Sequence, residues 1–148
     1  MQLTQKETTL LKDLKGQEQL CIDKYTKYAE CANDPQLKQL FDVLAGVERQ
    51  HLNTITQMES GTVPSTSSGQ KPTWPTPYQN SAVADKKNDT YLCSDVLASE
   101  KHVSSLYDTC IFEFSSPEMR QALNHIQAEE QQHGEQIYQY MKANQMYS

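Results

Sequence analysis

Residues 47–55 read VERQHLNTI, and residues 129–137 read EEQQHGEQI. Both stretches contain Glu-x-x-His, a spacing that puts the two side chains on one face of a helix. A further glutamate lies thirty residues before each motif. The resulting four carboxylates and two imidazoles are Glu18, Glu48, His51, Glu100, Glu130 and His133. A two-metal site in a four-helix bundle uses this set, with one Glu from each of two helices and a Glu-x-x-His from each of the others.

The motif belongs to a longer internal repeat. Aligning the chain with itself at an offset of 82 residues superimposes Asp13 on Asp95, Glu18 on Glu100, Tyr25 on Tyr107, Pro35 on Pro117, Glu48 on Glu130, His51 on His133 and Ile55 on Ile137. Repetition on this scale indicates two copies of one supersecondary unit, here a helical hairpin.

The composition limits the class of protein and its partners. A chain of 148 residues is predicted to form one domain, 1–148, with a core that needs no disulfide. The net charge of -6 argues against nucleic acid as a partner. No stretch is apolar enough for membrane insertion, and the first thirty residues lack the pattern of a signal peptide. We therefore expect synthesis in the cytoplasm.

Helix boundaries follow from capping signals. Thr4 to Glu7 has the form of a capping box, and Asp34-Pro35 and Ser116-Pro117 each combine an N-cap with proline at the first helical position. The sequence predicts an all-α fold, a four-helix bundle of two hairpins, with helices at about 4–32, 35–59, 88–114 and 117–143.

A long connection separates the two hairpins. Residues 60–87 are rich in Pro, Ser, Thr, Gly and Asn and have no apolar periodicity. A bundle of this kind needs one crossover along its length, and this segment is long enough to provide it. Its one tryptophan, Trp74, is a candidate for docking into a groove of the bundle.

Each predicted helix carries one apolar stripe at spacings of three and four, which is typical of a core-facing seam. The stripes are Leu11, Leu14, Glu18, Cys21, Tyr25, Tyr28, Ala32; Leu37, Phe41, Leu44, Glu48, His51, Ile55, Met58; Cys93, Val96, Glu100, Val103, Tyr107, Cys110, Phe114; and Met119, Leu123, Ile126, Glu130, His133, Ile137, Tyr140. The ionisable residues interrupt all four near the middle. The six side chains are therefore predicted to converge in one central layer.

A metal centre would explain why ionisable residues are buried in this layer. Isolated carboxylates in a core cost several kcal/mol each, whereas two divalent cations balance four of them beside two neutral imidazoles. The oxygen and nitrogen donors favour two ions of iron or manganese, with zinc as an alternative. Any one of these residues alone would more often be an ordinary helix residue, and the matched set carries the prediction.

Other polar residues near the seams receive less specific predictions. Tyr25 and Tyr107 are expected to be core residues with hydrogen-bonded hydroxyls, a redox role being the rarer alternative. His102 and His125 are expected on the surface, and Glu129 is expected to point away from the site. The four cysteines are expected to be small buried residues, since no Cys-x-x-C is present. The catalytic residues and the groups that orient the two histidines stay unknown.

The stretch YLCSDVLASEKHVSSLYDTCIFEFSSPEMRQALNHIQAEEQQHGEQIYQYMKANQMY, residues 91–147, resembles the coat F domain of bacterial spore coat proteins. The stretch LLKDLKGQEQLCIDKYTKYAE, residues 10–30, is similar to the N-terminal half of the clostridial-type members. With its six candidate ligands, the chain also resembles the ferritin-like superfamily, whose members bind paired iron or manganese between two hairpins.

This resemblance implies location in the spore coat, with other coat proteins and a second copy of the chain as partners. Two functions stay open. The protein is either a di-metal protein with oxidase or peroxide-consuming activity, or a non-catalytic coat component with a stabilising or vestigial metal site. A third, iron storage, would require a hollow multi-subunit shell.

Overall fold

A computed structural model describes residues 2–63 and 71–147. Within these residues the chain forms four helices and no strand: α1 Gln5–Cys31, α2 Pro35–Glu59, α3 Lys87–Glu113 and α4 Pro117–Ala143. None of the described helices combines the length and apolar character that crossing a bilayer requires. The predicted all-α bundle of two hairpins is confirmed.

Local capping sets the start of three helices. Glu7 N–H donates to the Thr4 hydroxyl, and Thr4 N–H donates to the Glu7 carboxylate, which completes the capping box of α1. Asp34 and Ser116 cap α2 and α4 through their side chains, and a proline follows each. The start of α3 differs, because its N-cap residue Lys86 makes no side-chain capping bond.

The hairpins pack side by side, with α1 next to α3 and α2 next to α4. α3 begins beside the turn between α1 and α2, at the opposite end of the bundle from the end of α2. There the buried Asp89 carboxylate accepts the N–H groups of Asn33 and Asp34 at 2.8 and 2.9 Å. All four pairs of neighbouring helices are therefore antiparallel.

The described part of the crossover lies against α2 and α4. Tyr78 N–H donates to the Gln36 side chain at 3.1 Å, and the Gln36 amide donates back to the Tyr78 carbonyl at 2.7 Å. Trp74 is partly buried against the core cluster at this end of the bundle. Residues 64–70 of the predicted crossover lie outside the described residues.

The predicted stripes form the core. Every stripe residue is buried except Tyr28, which is partly buried. Apolar side chains form one cluster around Phe41 and Ile137 and a second around Leu14 and Leu123. The charged layer lies between the two clusters, as its mid-helix position predicts.

One prediction about the cysteines is wrong. Cys21, Cys93 and Cys110 are buried, but Cys31 is exposed. The reason is its position in the last turn of α1, one residue before the stripe residue Ala32. Burial follows the stripe and not the residue type.

The Asp34 side chain joins three parts of the chain at one end of the bundle: α2, α4 and the crossover. Its carboxylate accepts the Gln36 N–H at 3.0 Å, the Tyr140 hydroxyl at 2.9 Å and the Asn80 amide at 2.9 Å. Burial raises the pKa of Asp34, but the hydrogen bonds from Asn80, Gln36 and Tyr140 outweigh it and hold the pKa below the ordinary 3.8. The stabilisation from these bonds is therefore present above about pH 4 and is lost as the pH falls through the folded-state pKa.

Asp34→Ala is expected to destabilise the protein by roughly 2 to 4 kcal/mol, because it removes a helix cap and leaves the buried Tyr140 hydroxyl without its acceptor. Urea denaturation at pH 7 measures the change. Ser116→Ala is the matched control, since it removes a cap and one exposed hydrogen bond to Glu118 and should cost about 1 kcal/mol. Equal losses in the two variants would contradict a joining role for Asp34.

Candidate metal centre

The structure brings the six sequence-predicted residues together at the middle of the four helices. Their ligand atoms form two groups of four, and within each group all atoms lie within 4.8 Å of one another. One group is Glu18, Glu48, His51 and Glu130; the other is Glu48, Glu100, Glu130 and His133. The groups share Glu48 and Glu130, so the glutamates of the two Glu-x-x-His motifs lie between the two candidate ion positions.

Both histidines turn Nδ1 toward the carboxylates. His51 Nδ1 lies 2.9 Å from Glu130 Oε1 and 3.6 Å from Glu48 Oε2. His133 Nδ1 lies 2.8 Å from Glu48 Oε1 and 3.4 Å from both Glu100 Oε1 and Glu130 Oε2. The two rings are nearly parallel, with centroids 5.7 Å apart. Each imidazole therefore presents the same nitrogen to the shared pair of carboxylates.

The carboxylates are buried with much of their hydrogen-bonding capacity unused. Each of the four is at most 3% exposed. Five of their oxygens form no hydrogen bond within the described part of the chain: Glu18 Oε2, both oxygens of Glu48, Glu100 Oε2 and Glu130 Oε2. The close approach of Glu48 Oε1 to His133 Nδ1 does not have hydrogen-bond geometry. Buried oxygens without partners fit coordination by hard cations, and the donor set suits iron or manganese.

Without cations, the layer holds protons. Burial, together with the charge of Glu18, raises the pKa of Glu48 from 4.5 to about 7, and burial with the charge of Glu130 raises that of Glu100 to about 8. Burial alone would lower the pKa of His51, but hydrogen bonds to Glu129 and Glu130 raise it well above 6.5. The layer thus carries protons at neutral pH at the positions where a metal ion would replace them.

Two tyrosines connect the hairpins at the site. The Tyr25 hydroxyl of α1 donates to Glu100 of α3, and the Tyr107 hydroxyl of α3 donates to Glu18 of α1 at 2.5 Å. Both tyrosines are buried. The predicted role as core residues with hydrogen-bonded hydroxyls is confirmed. Each hydroxyl orients a carboxylate that belongs to only one of the two ligand groups, Glu100 for Tyr25 and Glu18 for Tyr107. The equivalent positions of Tyr25 and Tyr107 in the repeat are the sequence signal from which this reciprocal hydrogen bonding between α1 and α3 could have been inferred.

The expectation for Glu129 is wrong. Its Oε1 lies 3.0 Å from His51 Nε2, on the side of the ring opposite the carboxylates. Neighbouring residues project about 100° apart, yet Glu129 reaches His51 from the edge of α4 while Glu130 reaches it from the core face. The hydrogen bond from His51 lowers the pKa of Glu129, and the exposed His125 lies 3.3 Å away. A proton kept on Nε2 by this carboxylate leaves Nδ1 free for a metal ion.

His133 has a different environment. At the offset of 82 residues, the position that corresponds to Glu129 is the buried Val47. His133 Nε2 is buried and forms no hydrogen bond to any described residue. The rings of Trp74 and His133 pack edge to face, with centroids 5.8 Å apart. The two halves of the site therefore have the same donors and different surroundings.

Cys21 and two further histidines lie outside the two groups. Cys21 is buried, and burial, followed by the charge of Glu48, raises the pKa of its thiol, so it stays protonated. His102 and His125 are exposed, as expected. Neither histidine is a member of the ligand groups.

The fold and the site define an all-α protein of two hairpins around a buried cluster of carboxylates and imidazoles. Residues 88–148 match the family model of the Coat F domain, which covers α4 and nearly all of α3. The match confirms the resemblance of the second hairpin to the Coat F domain of spore coat proteins, and it indicates a component of the spore coat. No curated protein and no solved structure matched the chain.

Glu129→Ala is expected to weaken binding of Mn²⁺ at the His51 side by about 10-fold to 100-fold, because the ring loses the group that orients it. Calorimetric titration of the metal-free protein measures the affinity. His125→Ala keeps the contact between Glu129 and His51 and should bind Mn²⁺ like the wild type. Unchanged affinity in Glu129→Ala would mean that His51 is oriented without this contact.

Proposed function

We propose that the protein is a ferritin-like, metal-binding component of the bacterial spore coat that holds two divalent ions, iron or manganese in preference to zinc. The observation that carries the proposal is the set of five buried carboxylate oxygens without hydrogen-bond partners among the described residues. Glu18 and His51 would serve one ion and Glu100 and His133 the other, with Glu48 and Glu130 bridging them.

Charge balance supports two ions. Four carboxylates with two neutral imidazoles carry four negative charges, which two divalent cations cancel. One ion would leave two buried negative charges without compensation. The protons on Glu48, Glu100 and the histidines supply that compensation in the metal-free state, so metal binding exchanges protons for cations.

The proposed activity is oxidation of the metal pair by dioxygen or hydrogen peroxide. Two bound ferrous ions would supply the two electrons that, with two protons, reduce one hydrogen peroxide to two waters. The residues of the chain position this chemistry. Tyr25 and Tyr107 hold the two outer carboxylates by hydrogen bonds, and the apolar clusters on either side keep bulk water from the layer.

A non-catalytic coat component is the second candidate. The crossover packs Trp74 against His133, and all six candidate ligands are nearly inaccessible to solvent, which suits a metal that stabilises the bundle. Both candidate functions include association with other coat proteins and with a second copy of the chain. The exposed aromatic residues Tyr91 and Phe112, 69% and 84% accessible, are available for such contacts.

The purified protein is expected to bind two ions per chain by elemental analysis, with a melting temperature that rises on adding metal and falls on chelation. Binding should release roughly two to four protons per chain at pH 7 and weaken as the pH falls from 8 to 6. Glu48→Ala or Glu130→Ala should abolish two-ion binding, whereas Asp42→Ala, an exposed carboxylate on α2, should not. Metal content near zero under saturating conditions would refute the proposal.

Anaerobic ferrous protein is expected to oxidise faster than free ferrous iron in the same buffer when mixed with dioxygen or hydrogen peroxide. Stopped-flow absorbance measures the rate. Replacing His51 and His133 together by Ala should remove this advantage and leave a helical, soluble protein by circular dichroism. A wild type that binds two ions but oxidises them no faster than buffer would establish the non-catalytic alternative.

A further inference from the structure

A groove of about 440 Å³ lies between α3 and α4. Its lining includes Leu97, Ser104, Gly134 and Tyr138, together with the candidate ligands Glu100 and Glu130. The rings of Tyr138 and Tyr147, both exposed, meet edge to face at 5.0 Å on its outer side. The groove therefore extends from exposed side chains to two carboxylates of the buried layer.

At two positions, the matched face of the first hairpin carries larger side chains than the groove. At the offset of 82 residues, Gly134 corresponds to Leu52 and Ser104 to Ile22. Ile22 is buried, at 7% exposure, and Leu52 is partly buried. The helices of the first hairpin also pack more closely than α3 and α4. The space beside the site is thus associated with two small residues of the second hairpin.

Glycine at position 134 has no explanation in helix packing. A Cβ atom placed there would meet only Leu97 Cδ1 at 3.8 Å, an ordinary van der Waals contact. Glycine in the middle of a helix is unfavourable relative to alanine, and α4 continues for nine residues beyond it. Because glycine has no side chain, the volume that a longer residue would fill at position 134 stays open, close to Glu130.

We propose that this groove is the access route by which a small uncharged oxidant, dioxygen or hydrogen peroxide, reaches the metal pair, and that Gly134 and Ser104 set its width. The inference rests on the proposed function. Leu97, Gly134 and the rings of the two tyrosines give the groove a mainly apolar lining, to which Lys101, Gln131 and Glu135 also contribute. A mainly apolar lining suits an uncharged molecule, because an ion would lose much of its hydration there. Glu100 Oε2 and Glu130 Oε2, which form no hydrogen bond among the described residues, lie on the two ligands that the groove reaches.

Nitric oxide is an uncharged molecule of the size of dioxygen. The rate at which it binds the ferrous ions reports access through the groove and does not depend on catalytic turnover. Anaerobic ferrous protein is mixed with nitric oxide, and stopped-flow absorbance gives the rate after iron content has been measured. Gly134→Leu and Ser104→Ile, which introduce the residues of the first hairpin, should keep two irons and bind nitric oxide at least about tenfold more slowly, since a filled groove leaves little space for passage. Ser104→Ile carries the test alone if Gly134→Leu loses its helical circular dichroism.

Gly16→Leu is the matched control, because Gly16 is an exposed helical glycine whose added Cβ meets nothing within 4 Å. Its binding rate should equal that of the wild type. Two irons with an unchanged rate in both groove variants would overturn the route, and so would equal slowing in Gly16→Leu. A wild type that binds neither iron nor manganese would instead refute the proposed function, and the route with it.

Discussion

The main physical constraint on this bundle is the burial of four carboxylates in one layer. Carboxylates at this depth are stable only with protons, imidazolium groups or cations beside them. Tyrosines donate to the outer pair and histidines face the shared pair, which lowers this cost. Five oxygens without partners leave part of the cost uncompensated, and bound cations would remove it. The apolar clusters above and below shield the layer from water along the bundle axis, which strengthens each of these interactions.

The repeat explains why so much of the fold was predictable from the sequence. Stripes at spacings of three and four identify the buried face of each helix, and capping residues such as Asp34 and Ser116 identify where helices begin. Because both hairpins have their ionisable residues at matched depth, antiparallel packing brings the six together. Periodicity and register are properties of single helices and hairpins, so a sequence can report them.

Contacts between elements that are distant in the chain were not predictable in the same way. The position of Glu129 beside His51 depends on how α4 lies against α2, and the stripe gave no indication of it. The exchange of hydroxyl donors between α1 and α3, and the packing of Trp74 on His133, likewise depend on helix neighbours and on the path of the crossover. The differences between the halves, such as Val47 against Glu129, are visible in the sequence but acquire meaning only in three dimensions.

The hydrogen bonds of Asp34 have a consequence for the order of folding. Each hairpin forms from contacts between residues close in sequence, so the loop that must close is short. Asp34, in contrast, bonds Tyr140 across 106 residues and, through its N–H, Asp89 across 55. These bonds can form only after the two hairpins have docked and the described part of the crossover has packed against α2 and α4. Asp34 therefore stabilises the assembled bundle after the folding transition state, so that its hydrogen bonds slow unfolding more than they speed folding.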